Sequence, residues 1–460
     1  MVYTITQVYL KEQHTNSEQI CCVWKEVLLA VIFNIPFLTH GIETTNLTAS
    51  AHSGHFISTE DVPWTTTAMV VSAGVSAPIF CYVIDRFGRK TGIFSISMVQ
   101  AATLIPHFLL TSNEIYSVEI ILHVLAGISS GGLFTILPIY IREITVLRGF
   151  CISVMIVMTT LGYMMKLTMI MEMRLYVMVG LIALQLISMT FMVESPSYLV
   201  MKSKYEEARK NLSKLKLLAE DDPNISNALS NLKDESDRAR SNGNLSLRTV
   251  CRTKIWLDGI KIGFVLSTVN ALCGSILFLD QHKTLIQLKL TADPEGTLVL
   301  GSLLGGSILC LICVMFLDRK YLLILGYGII TLSTGVLAVY TQRDMTVSRT
   351  DIVPIVSLGI LVVGYGIAWG LPTLIMVEIF NMEIRATFIA IIFTYYQIIK
   401  LIHVHTFKYL EDYIGLYTLF YMFASVNLYG VVYTLFVVPN TMAKSVRQIE
   451  RQLKRPALPA

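Results

Sequence analysis

Charge is what this sequence has least of. Lys, Arg, Asp and Glu together make up 15% of its 460 residues, against 54% hydrophobic residues and a mean hydropathy of +0.62. A water-soluble chain of this length does not have that composition, so the solvent for most of it is lipid. Long polar segments are equally scarce. Residues 195–254 form the one extended polar stretch, which leaves no room for a soluble catalytic domain, and an enzyme would have to work inside the membrane. The eight cysteines are scattered. They show neither a secreted disulfide framework nor metal-ligand spacing, and Cys310 and Cys313 lie within an apolar run where small packing residues are expected. The paired histidines His52/His55 and His403/His405 read as surface residues. No metal and no cofactor is expected. The formal net charge of +4 reflects where the basic residues lie and gives no reason to propose a nucleic-acid partner.

Apolar runs of roughly 20 residues, the length a helix needs to cross a bilayer, dominate what remains. They fall near residues 22–40, 64–83, 91–111, 117–140, 149–169, 174–193, 256–278, 297–317, 321–340, 354–376, 386–405 and 416–438. With no water in the bilayer core, backbone amides must be satisfied within each segment, so these runs are helices. The expected fold class is an all-α membrane protein of twelve transmembrane helices in two six-helix bundles. Its parts are a cytoplasmic N-terminus at 1–21, an N-terminal bundle at 22–193, a cytoplasmic linker with amphipathic helices at 194–254, a C-terminal bundle at 255–438 and a cytoplasmic tail at 439–460.

The first apolar run has no small-residue cleavage pattern and is expected to be retained as a helix. An even number of spans puts both termini on one side, and the excess of Lys and Arg in the linker and short loops of that side assigns it to the cytoplasm. The sequon at Asn46 then lies in the first outward loop and is a candidate for glycosylation, while those at Asn211, Asn224 and Asn244 face the cytoplasm. Within the linker, Tyr205, Ala208, Leu212 and Leu215 recur at helical spacing among charges, as in an amphipathic helix packed on the inner ends of the spans.

Between the second and third runs stands Asp85-Arg86-Phe87-Gly88-Arg89-Lys90, a glycine turn with charges of both signs at the membrane surface. The fourth run closes with Pro138-Ile139-Tyr140-Ile141-Arg142-Glu143-Ile144, followed by Arg148-Gly149. Glu194-Ser195-Pro196-Ser197-Tyr198-Leu199 follows the sixth, with Glu206-Glu207-Ala208 after it. The second half carries Asp318-Arg319-Lys320, Glu378-Ile379-Phe380 with Arg385, and the tail Val438-Pro439-Asn440-Thr441-Met442-Ala443-Lys444-Ser445. This series resembles the signatures of the major facilitator superfamily, and of its sugar porter branch in particular. Within that branch it resembles the insect facilitated trehalose and glucose transporters, as a divergent member. The likeness covers residues 22 to about 450, and it implies the major facilitator fold and a transporter in the cell membrane.

The resemblance assigns Asp85, Arg89, Glu143, Arg148, Glu194, Asp318, Arg319, Glu378 and Arg385 to a charge network that closes the inner gate in the outward-facing state. Glu143 and Arg148 in one half correspond to Glu378 and Arg385 in the other, as parallel repeats predict. The chain departs from the family pattern at Ser197 (an arginine in the family), at the shortened Asp318-Arg319-Lys320 loop and at Asn440 (a glutamate in the family), which predicts a weaker lock on the second half.

For the substrate, the family's sugar-contacting glutamines fall on Ile156, Phe264 and Val265, and its tenth-span tryptophan is lost within Gly370-Leu371-Pro372-Thr373. Polar groups expected to face a cavity instead are Asn270, Thr268, Tyr365, Trp369, Thr373, Tyr396 and Gln397, because a hydroxylated solute stripped of water needs donors and acceptors at mid-membrane. The glycines and proline of 364–372 predict a softened tenth helix. The expected function is facilitated, alternating-access movement of a small neutral solute, a sugar or polyol. No acidic residue is expected inside the first span to couple transport to protons. Two further readings are a non-transporting solute sensor that keeps the fold and, less well supported, a membrane-embedded enzyme or channel.

Overall fold

The computed structural model describes residues 16–44, 62–106, 115–216, 218–241, 254–279, 296–342, 352–442, 444 and 446–453. Asn46, His52 and His55 lie outside them. All twelve expected spans contain helix. The first is Asn16–Phe33 followed by Ile35–Thr44, and the second and third are Val62–Phe87 and Arg89–Ala102. Ile115–Ile144, Arg148–Thr168 and Met171–Phe191 complete the first half. The second half runs through Lys254–Ala271 with Ile276–Leu279, Thr297–Cys313, Arg319–Gln342, Ile352–Ala368 with Leu371–Ile379, Arg385–Ile414 and Leu416–Phe436. Among the described residues nine helices are long and apolar enough to cross a membrane, and Thr297–Cys313 is a shorter apolar one. Large apolar side chains such as Phe191, 81% exposed, point outward, as lipid-facing residues should.

Lipid offers helices little reason to associate through apolar area alone, so close backbone approach and buried polar bonds hold the bundle together. Gly41 of the first span lies against Thr159 and Gly162 of the fifth so closely that a Cβ would overlap their backbone. Gly127 and Gly131 of the fourth span meet the second in the same way, and Gly306 and Gly366 join the eighth and tenth. Polar side chains add bonds between helices. Gln185 donates to Ser97 and to Gln100 Oε1, and Gln100 in turn donates to the Pro36 carbonyl at 2.9 Å.

Three spans are broken where the sequence loosens them. Asn34 interrupts the first, its amide donating to the carbonyls of Ala30 and Cys151, just ahead of Pro36. The seventh turns at Gly274, which adopts φ 99°, and the tenth breaks between Ala368 and Leu371 with Pro372 opening the next helix.

The linker folds as helices Pro196–Met201, Tyr205–Lys216 and Pro223–Ser241 around a small core of Tyr198, Leu199, Ala208, Leu212, Ile225 and Leu229. It is bonded to both halves. Asn211 donates to the Glu194 carbonyl, Lys25 to the Leu215 carbonyl, and Ser236 to Glu383 Oε1 at 2.6 Å. The end of the bundle that carries these helices is called the linker face below.

Candidate functional site

Two layers lie on the path between the halves. At the linker face is the charge network. Arg89, fully buried, places Nε 3.2 Å from Glu143 and Nη1 3.6 Å from Asp85. Arg385, also fully buried, reaches across from the eleventh span to Glu143 at 3.3 Å, and it donates to the carbonyls of Val377 and Phe380. Glu143 therefore holds arginines from both halves, and it also accepts from Ser195 Oγ at 2.5 Å. Glu194 caps the start of the third span by accepting from the Arg89 N–H at 2.9 Å. Gly88, at φ 110°, makes that approach possible, since a side chain there would run into the Glu194 carboxylate.

The second half has a pair of its own, Arg319 to Glu378 at 3.1 Å, formed despite the shortened loop. Asp318 accepts from Asn440 at 2.6 Å, and Glu235 of the linker lies 3.7 Å from Arg385. Arg148 stands near Glu378, Glu235 and Arg319, with no ion pair within 4.0 Å among the described residues. Eight of the nine expected gate residues are thus bonded at this face, while Arg148 contributes only its field.

Above the network lies a cavity of about 140 Å³ between the halves. Phe393 on its wall is eight residues beyond Arg385 on one helix, about 12 Å at 1.5 Å per residue. Six of the seven expected substrate residues line it: Asn270, Tyr365, Trp369, Thr373, Tyr396 and Gln397. Thr268 does not. Its hydroxyl bonds the Phe264 carbonyl and the Tyr395 hydroxyl at 2.8 Å, so that face of the seventh span packs on the eleventh, and Phe264 meets the Tyr395 ring edge-on at 4.6 Å. Of the positions where the family's glutamines fall, Ile156 lines the cavity, whereas Phe264 and Val265 are partly buried and packed against the core.

Asn270 is 8% exposed, and its Oδ1 is buried with no hydrogen-bond partner. Trp369 stacks on Tyr365 at 5.7 Å, while Phe134 of the fourth span stacks on Phe393 at 6.1 Å, so apolar faces from both halves frame the polar groups. On the opposite side from the linker the halves touch along the second and eleventh spans, through Thr394 to the Gly74 carbonyl and Thr67 to His405 at 2.8 Å.

Sequence reasoning missed several lining residues: His40, Thr44, Ser130, Ser267 and Lys400. Their spacing carried a signal. His40 and Thr44 are one turn apart, Ser267 precedes Asn270 by one turn, and Lys400 follows Gln397 by one. The expectation of no acidic residue in the first span also fails. The span runs from Trp24 to Thr44 and contains Glu26, bonded to the Val146 and Leu147 N–H groups, and Glu43, fully buried and accepting from Thr103 at 2.7 Å; neither is part of the cavity wall.

Comparison with known proteins gives a consistent answer. Residues 11–453 match the family described as sugar (and other) transporter. The glucose transporter GlcP of Staphylococcus epidermidis is 26% identical over 405 residues, 84% of this chain and 86% of that protein. The probable metabolite transport protein CsbC of Bacillus subtilis is 26% identical over 426 residues, 86% and 88% of the two chains. The facilitated trehalose transporter Tret1 of Apis mellifera ligustica is 26% identical over 283 residues, 59% of this chain and 55% of that protein. Among solved structures, the proton:xylose symporter XylE bound to 6-bromo-6-deoxy-D-glucose superposes with a TM-score of 0.76 at 16% identity, covering 93% of this chain and 99% of that one. The inward-open conformation of XylE from E. coli superposes at 0.65 and 17% identity, covering 93% and 99%. With a match along nearly its whole length, a twelve-helix fold of the major facilitator type and a cavity between its halves, this chain belongs to the sugar (and other) transporter family.

Proposed function

We propose that the cavity binds a small neutral polyhydroxylated solute, a sugar such as glucose or trehalose or a polyol, and that the halves rock about it to carry it across the plasma membrane. The observation that carries the reading is the unpartnered Asn270 Oδ1, buried in a cavity that both halves wall. A buried acceptor without a donor is costly, and a solute hydroxyl supplies that donor. Gln397 and Thr373 add polar contacts, and the Tyr365 and Trp369 rings suit the apolar face of a pyranose. No chemistry is required. Solute enters, Glu143 and Arg385 part, and the pair reforms as the empty carrier resets. The relatives named for glucose and trehalose support this substrate class.

In this reading the linker face is cytoplasmic, both termini lie there, and Asn46 is glycosylated outside. Asn46→Gln removes an endoglycosidase-sensitive mobility shift if that orientation holds, and the shift is absent from the wild type if it does not.

The deciding experiment is uptake of labelled trehalose, glucose and a small polyol into oocytes with verified surface expression. Saturable uptake of one of them, weakened by Asn270→Ala, is the expected result. No uptake of any, combined with binding of one, favours a sensor that has kept the fold, for which the apolar Ile156 in the cavity wall is the supporting observation.

A further inference from the structure

A second cavity, of about 330 Å³, opens at the linker face between the ends of the fourth, fifth, eighth, ninth and tenth spans and the tail. Four cations line it, Arg142, Arg148, Arg319 and Lys444, against one carboxylate, Glu378. Arg142 and Arg319 are only 8% and 5% exposed. Arg142 Nε, Arg319 Nε and Nη1, and Thr441 Oγ1 are all buried without a hydrogen-bond partner. The anions nearby are already engaged. Glu26 accepts from the Val146 and Leu147 N–H groups, Glu235 from the Met382 N–H beside Arg385, and Asp318 from Asn440. Glu378 Oε1 holds Arg319 Nη2, and its Oε2 also lacks a partner. The fifth span begins at Arg148 beside the same space, with Glu26 accepting from the N–H groups just ahead of it.

Buried guanidinium donors left unsatisfied, beside a surplus of positive charge, call for an anion with several acceptor oxygens. A halide draws its donors to a single point, whereas a phosphate group offers separate oxygens to guanidinium groups spread around a cavity. The volume exceeds what a bare phosphate fills. We infer that this cavity binds a phosphate monoester from the cytosol, and that the bound phosphate bridges the two halves. The inference rests on the cytoplasmic orientation proposed above. Since Arg142 and Arg148 belong to one half and Arg319 to the other, occupancy favours the state closed at the linker face and slows opening inward. The site thus gives the transporter a brake set by phosphorylated metabolites inside the cell.

The test uses full-length protein in phosphatidylcholine nanodiscs, titrated by calorimetry with glucose 6-phosphate and with inorganic phosphate at fixed ionic strength, and with chloride as the control. Saturable binding of glucose 6-phosphate, absent with chloride and at least tenfold weaker in Arg142→Gln/Lys444→Gln, supports the site. The single variant Lys444→Gln, at a half-buried tail position, is expected to weaken binding in the same direction and serves where the double variant fails to fold. No saturable binding, or unchanged affinity in Lys444→Gln, overturns it. A parallel sample in discs containing phosphatidylinositol 4-phosphate separates the sources: stabilisation by that lipid without soluble binding overturns the cytosolic source and assigns the phosphate to the membrane. Binding is read without any transported solute, so failure here is distinct from failure of the uptake experiment.

Discussion

Glu143 of the fourth span and Arg385 of the eleventh meet at 3.3 Å with neither side chain exposed, although 242 residues separate them in sequence. Glu143 is also bonded to Arg89 of its own half, so one carboxylate is shared between an arginine of its own half and one of the other, and in the proposed cycle the second is the contact that breaks. That asymmetry makes the Arg385 contact the separable one.

Replacing Arg385 by Ala leaves Glu143 with one guanidinium instead of two and removes the only cross-half member of the trio. Breaking a buried pair costs about 3–5 kcal/mol, enough to move a two-state equilibrium by a hundredfold or more. Uptake in oocytes is expected to fall below a tenth of wild type at equal surface expression, and a cysteine introduced near the linker face should label faster. Normal uptake would remove Arg385 from the gate.

Asn270→Ala and Thr268→Val distinguish the two faces of the seventh span. Loss of the Asn270 amide removes a hydrogen bond to solute worth about 1 kcal/mol, so KM should rise roughly five- to tenfold with little change in surface level. Thr268 spends its hydroxyl on Tyr395. Its valine variant should leave KM within about twofold and lower the unfolding midpoint instead. An equal KM effect for both would place the solute elsewhere.

Gly162 sits against Leu38 and Gly41 so that an added Cβ overlaps backbone, which cannot move as a flexible side chain can. Gly162→Val should therefore separate the first and fifth spans at a cost of about 1–3 kcal/mol, read as a lower yield of monodisperse protein. Gly180→Ala, where nothing lies within 4 Å of the added atom, should be silent and serves as its control.

The tail departs from the family pattern at Asn440, whose amide donates to Asp318 at 2.6 Å. Restoring an acid there should not strengthen the lock. Asn440→Asp removes the donor and sets two carboxylates against each other, so the unfolding midpoint is expected to drop and to recover partly at acid pH, where one of the two takes a proton. A higher midpoint at neutral pH would mean that the new acid turns to Arg319 or Lys444 instead.

Much of this protein was legible in its sequence because lipid enforces length. A run of about twenty apolar residues has one stable form in a bilayer, and each of the twelve runs contains helix among the described residues, including the one loosened by Gly370 and Pro372. The charge motifs were equally readable, since Arg89, Glu143, Arg319, Glu378 and Arg385 interrupt apolar sequence where an unpaired charge would be expensive. Which partner each one takes was not readable. Tertiary structure alone decided that Glu143 serves two arginines, that Asn440 satisfies Asp318, and that Arg142 and Arg148 crowd beside Arg319 with too few anions to match. Rotation about each helix axis was hidden as well. Helical spacing tells which residues share a face, so Ser267 and Asn270 go together and Phe264 and Thr268 go together. In a helix apolar on every side, spacing does not tell which face meets the cavity and which meets a neighbouring helix. Packing against Tyr395 settled that for Thr268, and the same packing left the Asn270 oxygen without a partner in the wall of the cavity.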